Sequence, residues 1–222
     1  PEDIEAAHDH MFSIREQGFF NNTWFSDPMI LGSYPEDGLS LFGADMPAVQ
    51  DGDLATIHQP LDFFGANIYS GRYVHATPDG GVEKAMDRDQ PVTAMGWPIT
   101  PEALYWAPRF IHERYHLPIV ITENGMAHDD HLENGAVDDQ PRIDFLQSYL
   151  QHYARAIAEG VPAQGYFLWS VMDNFEWAEG YSKRFGLIHV DYASQQRTLK
   201  TSAQWYRRVI AGNGGNQGGK MD

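Results

Sequence analysis

The stretch Ile119-Val120-Ile121-Thr122-Glu123-Asn124-Gly125 places one carboxylate where a short apolar strand runs into a glycine. Pro118 opens it, three β-branched residues fill it, and Gly125 is expected to permit the reversal that leaves Glu123 facing a cavity instead of the core. Enzymes built on parallel strands keep their chemistry at such strand ends. Alone, a glutamate in this position is more often solvated or salt-bridged than catalytic.

A second apolar strand, Gly165-Tyr166-Phe167-Leu168-Trp169-Ser170-Val171, runs into the aromatic and acidic turn Met172-Asp173-Asn174-Phe175-Glu176-Trp177. Rings beside acceptors suit a sugar, because pyranose faces are C–H rich and stack on Trp while the hydroxyls donate to carboxylates. Trp169, Glu176 and Trp177 are thus candidates for a pocket wall. The competing reading is core aromatics beside a surface acid.

Together these segments carry a family resemblance. Thr122-Glu123-Asn124-Gly125, the block from Trp169-Ser170 to Asn174-Phe175-Glu176-Trp177, and the tail Arg184-Phe185-Gly186-Leu187-Ile188-His189-Val190-Asp191 resemble glycoside hydrolase family 1, the β-glucosidases and their relatives. Upstream, Trp24-Phe25-Ser26-Asp27-Pro28, Gly32-Ser33-Tyr34-Pro35 and Asp62-Phe63-Phe64-Gly65-Ala66-Asn67-Ile68-Tyr69 follow the same order.

The resemblance implies an α/β fold, the TIM (β/α)8 barrel, of which this chain supplies the C-terminal portion. Strands are expected at residues 62 to 69, 118 to 123 and 165 to 171, matching strands six, seven and eight. The family's acid/base glutamate sits in an Asn-Glu-Pro motif at the end of strand four, and no such tripeptide occurs in these 222 residues. A whole barrel takes about 250 residues. The expectation is therefore one C-terminal half over residues 1–210, followed by a Gly-rich flexible tail over 211–222, with the N-terminal half of the same barrel as a required partner. An open parallel sheet would otherwise expose its edges.

By resemblance Glu123 is the nucleophile of a retaining β-glucosidase, attacking the anomeric carbon to form a covalent glycosyl-enzyme, with the acid carboxyl about 5 to 5.5 Å away. Tyr69 donates to that nucleophile and orients it. Asn67 lies near the sugar's 2-OH, Trp169 forms the floor under the glycone, Glu176 accepts from O4 and O6, and Trp177 binds near O3. Phe185 lines the pocket by O6 or serves packing. Trp97, in Met95-Gly96-Trp97-Pro98, leads toward the aglycone, although Pro98 and Ile68 depart from the residues common in the family. A carboxylate at 176 would repel a 6-phosphate, which favours an unphosphorylated β-glucoside or oligosaccharide. The other class of reading is a non-catalytic carbohydrate-binding or scaffold fragment that keeps the pocket.

Composition narrows the partners. Net charge is −16, from 31 acidic and 15 basic side chains without a basic run, which disfavours nucleic acid. No apolar run reaches the length of a membrane span. Zero Cys excludes a disulfide scaffold or thiolate site and leaves the compartment open, with the cytoplasm as the working expectation. No metal or cofactor is expected. His128-Asp129-Asp130-His131 lacks a second ligand cluster and reads as a solvated loop, and Asp51-Gly52-Asp53 lacks the downstream ligands of a calcium loop.

The helical pattern supplies the remainder. Ile143, Leu146, Leu150, Tyr153 and Ile157 predict a helix over 142–158 between the last two strands. Ile4, Ala7, Met11 and Ile14 predict another near the start, and Trp205, Tyr206 and Val209 a closing helix over 201–210. Thr100 before Pro101 reads as an N-cap, with Pro108 kinking or dividing the helix that follows. The polar stretch 72–97 is expected to be a loop over the active-site face.

Overall fold

The computed structural model describes residues 2–18, 21–85 and 90–212. In its first half come helices α1 (Glu2–Phe12), α2 (Thr23–Ile30), α3 (Glu36–Phe42) and α4 (Asp53–Ile57), then strands β1 (Phe64–Asn67), β2 (Val74–Ala76) and β3 (Val82–Lys84). There follow α5 (Ala103–Tyr115), β4 (Ile119–Asn124), α6 (Gln140–Ala158), β5 (Ala163–Leu168), β6 (Ile188–Val190), β7 (Arg197–Leu199) and α7 (Thr201–Ala211). The chain forms two compact units, each assembled from separated segments, which is why no linker marks them in the sequence.

The first unit comprises residues 1–64, 72–87 and 110–117. Its polar centre is Asp27, which accepts from Arg114 at 3.1 and 2.5 Å and from the Tyr115 hydroxyl at 2.7 Å. Trp24 packs on Tyr34 and Phe42. Gly38 lies under that ring: a Cβ there would stand 2.8 Å from it. The stretch expected to be a loop over the site instead contains an antiparallel hairpin of β2 and β3. That hairpin belongs to this first unit, tied to α1 by the Ala76 N–H on Asp3. In α1, Ile4 is exposed, and Ile14 is buried only beyond the helix end, so the predicted stripe is shorter than its spacing suggests.

The second unit, residues 65–71, 88–109 and 118–222, carries the three-stranded sheet in the order β1-β4-β5. β4 is central, and Ile119, Val120 and Ile121 are all buried, as a strand covered on both faces requires. β4 and β5 run parallel, joined by the α6 crossover. The face that α6 buries includes Ile143, Phe145, Leu146, Tyr149, Leu150 and Tyr153, but Ile157 is 45% exposed because Ala156 takes the inward position in the last turn. Pro108 sits inside an undivided α5, which starts at Ala103. Thr100 does not cap it with its side chain. The buried hydroxyl accepts from the Gly71 N–H at 2.6 Å, while the Thr100 N–H donates to the Tyr149 hydroxyl. α7 confirms the closing helix, and residues 213–222 of the expected tail lie outside the described residues.

A buried ionic network ties the loops beyond the sheet together. Lys200, fully buried, donates to Asp130 at 2.6 Å and to Asp173 at 2.8 Å. Arg142 donates to Asp130, to Asp139 and to the Arg184 carbonyl, and Arg184 donates to Asp173 at 2.6 Å. Ser202 completes Asp139. Three carboxylates thus meet three cations, a balance that a dry interior demands. The 128–131 segment expected to be solvated is therefore half wrong: Asp129 and His131 face solvent, but Asp130 is buried and also bonds His128. Burial opposes the Asp130 charge, yet Arg142 and Lys200 outweigh it and hold the carboxyl below the usual aspartate range.

Gly125 acts differently from the expected turn former. It is absent from the glycines at positive φ. A Cβ on it would lie 1.8 Å from the Trp169 carbonyl oxygen, so the residue is there for backbone contact.

Three outcomes follow from this packing. Lys200→Met, which leaves Asp130 and Asp173 without their shared cation, should lower the stability read by urea unfolding by about 3–5 kcal/mol. Gly125→Ala forces backbone apart and should cost about 3 kcal/mol in the same assay. The Asp130 contribution is complete above pH 3.8 and disappears as pH falls through its depressed native value, so acid unfolding should be less steep in Asp130→Asn.

Candidate functional site

The candidate site residues named from the sequence all belong to the second unit. Glu123 is the penultimate residue of β4, half-buried, and Tyr69 lies two residues past β1. The Tyr69 hydroxyl donates to Glu123 Oε2 at 2.6 Å. Burial first, then the bond to Glu123 and the charges of Glu123 and Glu176, push the phenol far above its ordinary value. It is therefore a permanent donor, and a carboxylate with such a partner has one oxygen fixed and the other left for chemistry. Asn67, exposed at the end of β1, accepts from the Thr122 hydroxyl at 2.7 Å.

The frame behind this pair rests on Asn124, which motif reading did not single out. The Ile68 N–H donates to the Glu123 carbonyl, and the fully buried Asn124 amide donates to the Ile68 carbonyl at 2.8 Å. The Tyr166 hydroxyl donates to Asn124 Oδ1 at 2.6 Å, and the Trp169 N–H to the Asn124 carbonyl. An asparagine following a strand-end glutamate is a faint signal, because its partners lie 56 and 42 residues away.

Two further rings converge on Tyr69. Trp97 stands edge-on to Tyr69 at 5.2 Å, and Phe185 lies 6.2 Å from Tyr69 and 6.0 Å from Trp97. Phe185 is buried, so packing is a large part of what it does. Its backbone is gripped on both sides: Asp173 accepts from Arg184 and from the Gly186 N–H, and Ser170 exchanges hydrogen bonds with Phe185 and Leu187. A Cβ at Gly186 would meet Asp173 N at 2.1 Å.

Trp169 follows β5, and its indole N–H points at Glu176 Oε2 with a long 3.4 Å bond. Trp177 is 84% exposed and has φ +39°, opening a short 3-10 turn that the Glu176 N–H closes on the Gly180 carbonyl. A left-handed tryptophan costs of the order of 1 kcal/mol or more. The structure thus joins Tyr69 to Glu123, Trp169 to Glu176, and Tyr69 to Trp97 and Phe185, while Trp177 stands open to solvent. Among the described residues no group of three or more His, Asp or Glu is arranged to hold a metal, and no helix is long and apolar enough to cross a membrane.

An oriented carboxylate, a phenol donor, an indole plane and a second carboxylate form a set suited to a polyhydroxylated ring. Known proteins with this sequence pattern point the same way. Residues 1–215 match the model of Glycosyl hydrolase family 1. Beta-glucosidase A of Thermotoga maritima is 45% identical over 218 residues, 95% of this chain and 49% of the relative. A beta-glucosidase of an Agrobacterium species is 43% identical over 87% of this chain and 43% of its own length. The solved beta-glucosidase of Thermotoga maritima in complex with castanospermine superposes with a TM-score of 0.81 at 44% identity, covering 96% of this chain and 47% of that one. The chain spans about half the length of the curated relatives it matches. At that level of identity and coverage, the chain belongs to glycosyl hydrolase family 1, a family of TIM barrels.

Proposed function

We propose that this chain is the nucleophile-bearing C-terminal half of a retaining β-glucosidase that releases terminal β-D-glucosyl residues from aryl or alkyl glucosides or cellobiose. β1, β4 and β5 then correspond to barrel strands six, seven and eight. The observation that carries the reading is the 2.6 Å bond from Tyr69 to Glu123, because neither sugar binding nor barrel packing needs a phenol aimed at that carboxylate. Relatives that are named beta-glucosidases support it.

In this mechanism Glu123 attacks the anomeric carbon while an acid carboxyl from the N-terminal half protonates the leaving oxygen; water then cleaves the glycosyl-enzyme with that same group as base. Tyr69 holds Glu123 in line. Trp169 stacks under the glycone, Glu176 accepts from O4 and O6, Asn67 lies by the 2-OH, Trp177 approaches O3, Phe185 bounds the O6 side, and Trp97 borders the way to the aglycone. Glu176 leaves no room for a 6-phosphate on electrostatic grounds. The N-terminal half is the macromolecular partner, and the open edges of β1 and β5 give it a hydrogen-bonding surface.

The test is turnover of an aryl β-glucoside by the chain joined to an N-terminal half. Glu123→Gln should reduce kcat on the order of 10^4-fold or more. Tyr69→Phe, which removes one donor from the nucleophile, should reduce it roughly 10^2-fold. Full activity in Glu123→Gln would displace the assignment in favour of a binding fragment.

A further inference from the structure

The Tyr69–Glu123 pair is one link in a closed ring of hydrogen bonds. From Glu123 Oε2 the ring passes to the Tyr69 hydroxyl, back along the chain to the Ile68 carbonyl, across to the Asn124 side-chain amide, and through one peptide to Glu123 again. A second tie closes it further inside, from the Ile68 N–H to the Glu123 carbonyl at 2.9 Å. The Tyr69 carbonyl is held from outside by the Tyr149 hydroxyl at 3.1 Å. The Ile68 N–H and the Ile68, Tyr69 and Glu123 carbonyls are therefore all engaged.

The ring has one ambiguous member. The two ends of an Asn amide are nearly the same size, and turning Asn124 over would set its oxygen against the Ile68 carbonyl oxygen. The Ile68 carbonyl, which can only accept, disfavours the turned form, and Tyr166 of β5 anchors the other end of the amide by donating to Oδ1 at 2.6 Å. Burial keeps that phenol protonated, so it serves as donor and never as a competing anion. No part of Tyr166 or Asn124 has been given a task in the reaction described above.

We infer that Asn124 and Tyr166 are positioning residues for the reaction: Tyr166 anchors the Asn124 amide against β5, and Asn124 thereby fixes Ile68 and aims the Tyr69 hydroxyl at Glu123. The inference deepens the nucleophile assignment and rests on it for its catalytic meaning. It differs from a sheet-stabilising role in one respect. A residue that only glues strands alters unfolding, whereas these two alter the Tyr69–Glu123 bond in the folded protein.

The experiment records 13Cζ-tyrosine NMR of this chain, with the Tyr69 signal assigned by its loss in Tyr69→Phe. Glu123→Gln provides the reference displacement for a weakened bond to residue 123. Tyr166→Phe, which removes a single oxygen, and Asn124→Asp, which removes the amide donor to Ile68, should each move the Tyr69 signal in the direction seen in Glu123→Gln. In the chain joined to an N-terminal half, Tyr166→Phe should lower kcat by about tenfold with KM changed less than about twofold, the pattern of an interaction lost in the transition state. An unmoved Tyr69 signal in both folded variants, with only the unfolding midpoint lowered, overturns the inference. The NMR arm reads geometry without turnover, so a moved signal in a protein that hydrolyses no glucoside would uphold the positioning and remove the β-glucosidase reading.

Discussion

A single buried ammonium, that of Lys200, holds the loops that leave the two longest strands of the second unit. Its two carboxylate partners come from different places: Asp130 seven residues after Glu123, and Asp173 four residues after Trp169. Arg142 at the start of α6 and Arg184 before Phe185 extend the same grip. Removing charge from water is costly, and only complete pairing offsets the cost. The loops therefore have one arrangement in which all six groups are matched, and any other leaves an uncompensated ion inside the protein. That constraint is what turns two long, irregular segments into a defined surface beside Glu123.

The consequence reaches Phe185 through Asp173. One carboxylate oxygen takes the Gly186 N–H and the other the Arg184 guanidinium, while the Arg184 carbonyl accepts from Arg142 and the His128 N–H, so the backbone is held on both sides of Phe185. Phe185 then completes the ring cluster with Tyr69 and Trp97. Electrostatics in the interior and aromatic contact at the site are successive steps of one arrangement. The −16 net charge plays no part in it, because the network is neutral and the surplus acid lies elsewhere.

Strand β4 was legible because a central parallel strand is apolar on both faces, and Ile119 to Ile121 show it without interruption. α6 was legible from its spacing, though Ile157 shows that the last turn of a helix drifts out of its stripe. The pairing of Tyr69 with Glu123 was readable only through the family resemblance, since 54 residues separate them. Asp130 defeated the reading for a plain reason. In the run His128-Asp129-Asp130-His131 its neighbours in sequence are polar, and what buries it comes from residues 12 and 70 positions later. Thr100 was mistaken because its hydroxyl serves a distant N–H instead of the helix beside it. The hairpin over 74–84 has strands of three residues, too short for alternation to stand out from a loop.

Gly125 and Gly186 act as a pair of spacers of zero thickness. At the first, backbone meets the Trp169 carbonyl; at the second, it meets the Met172–Asp173 peptide. No side chain intervenes at either contact, so the separations there follow from peptide dimensions, which do not vary among amino acids. Changing side chains farther out therefore leaves the spacing between the Glu123 strand and the Trp169 strand as it is. The site has a constant gauge on which its selectivity can be varied.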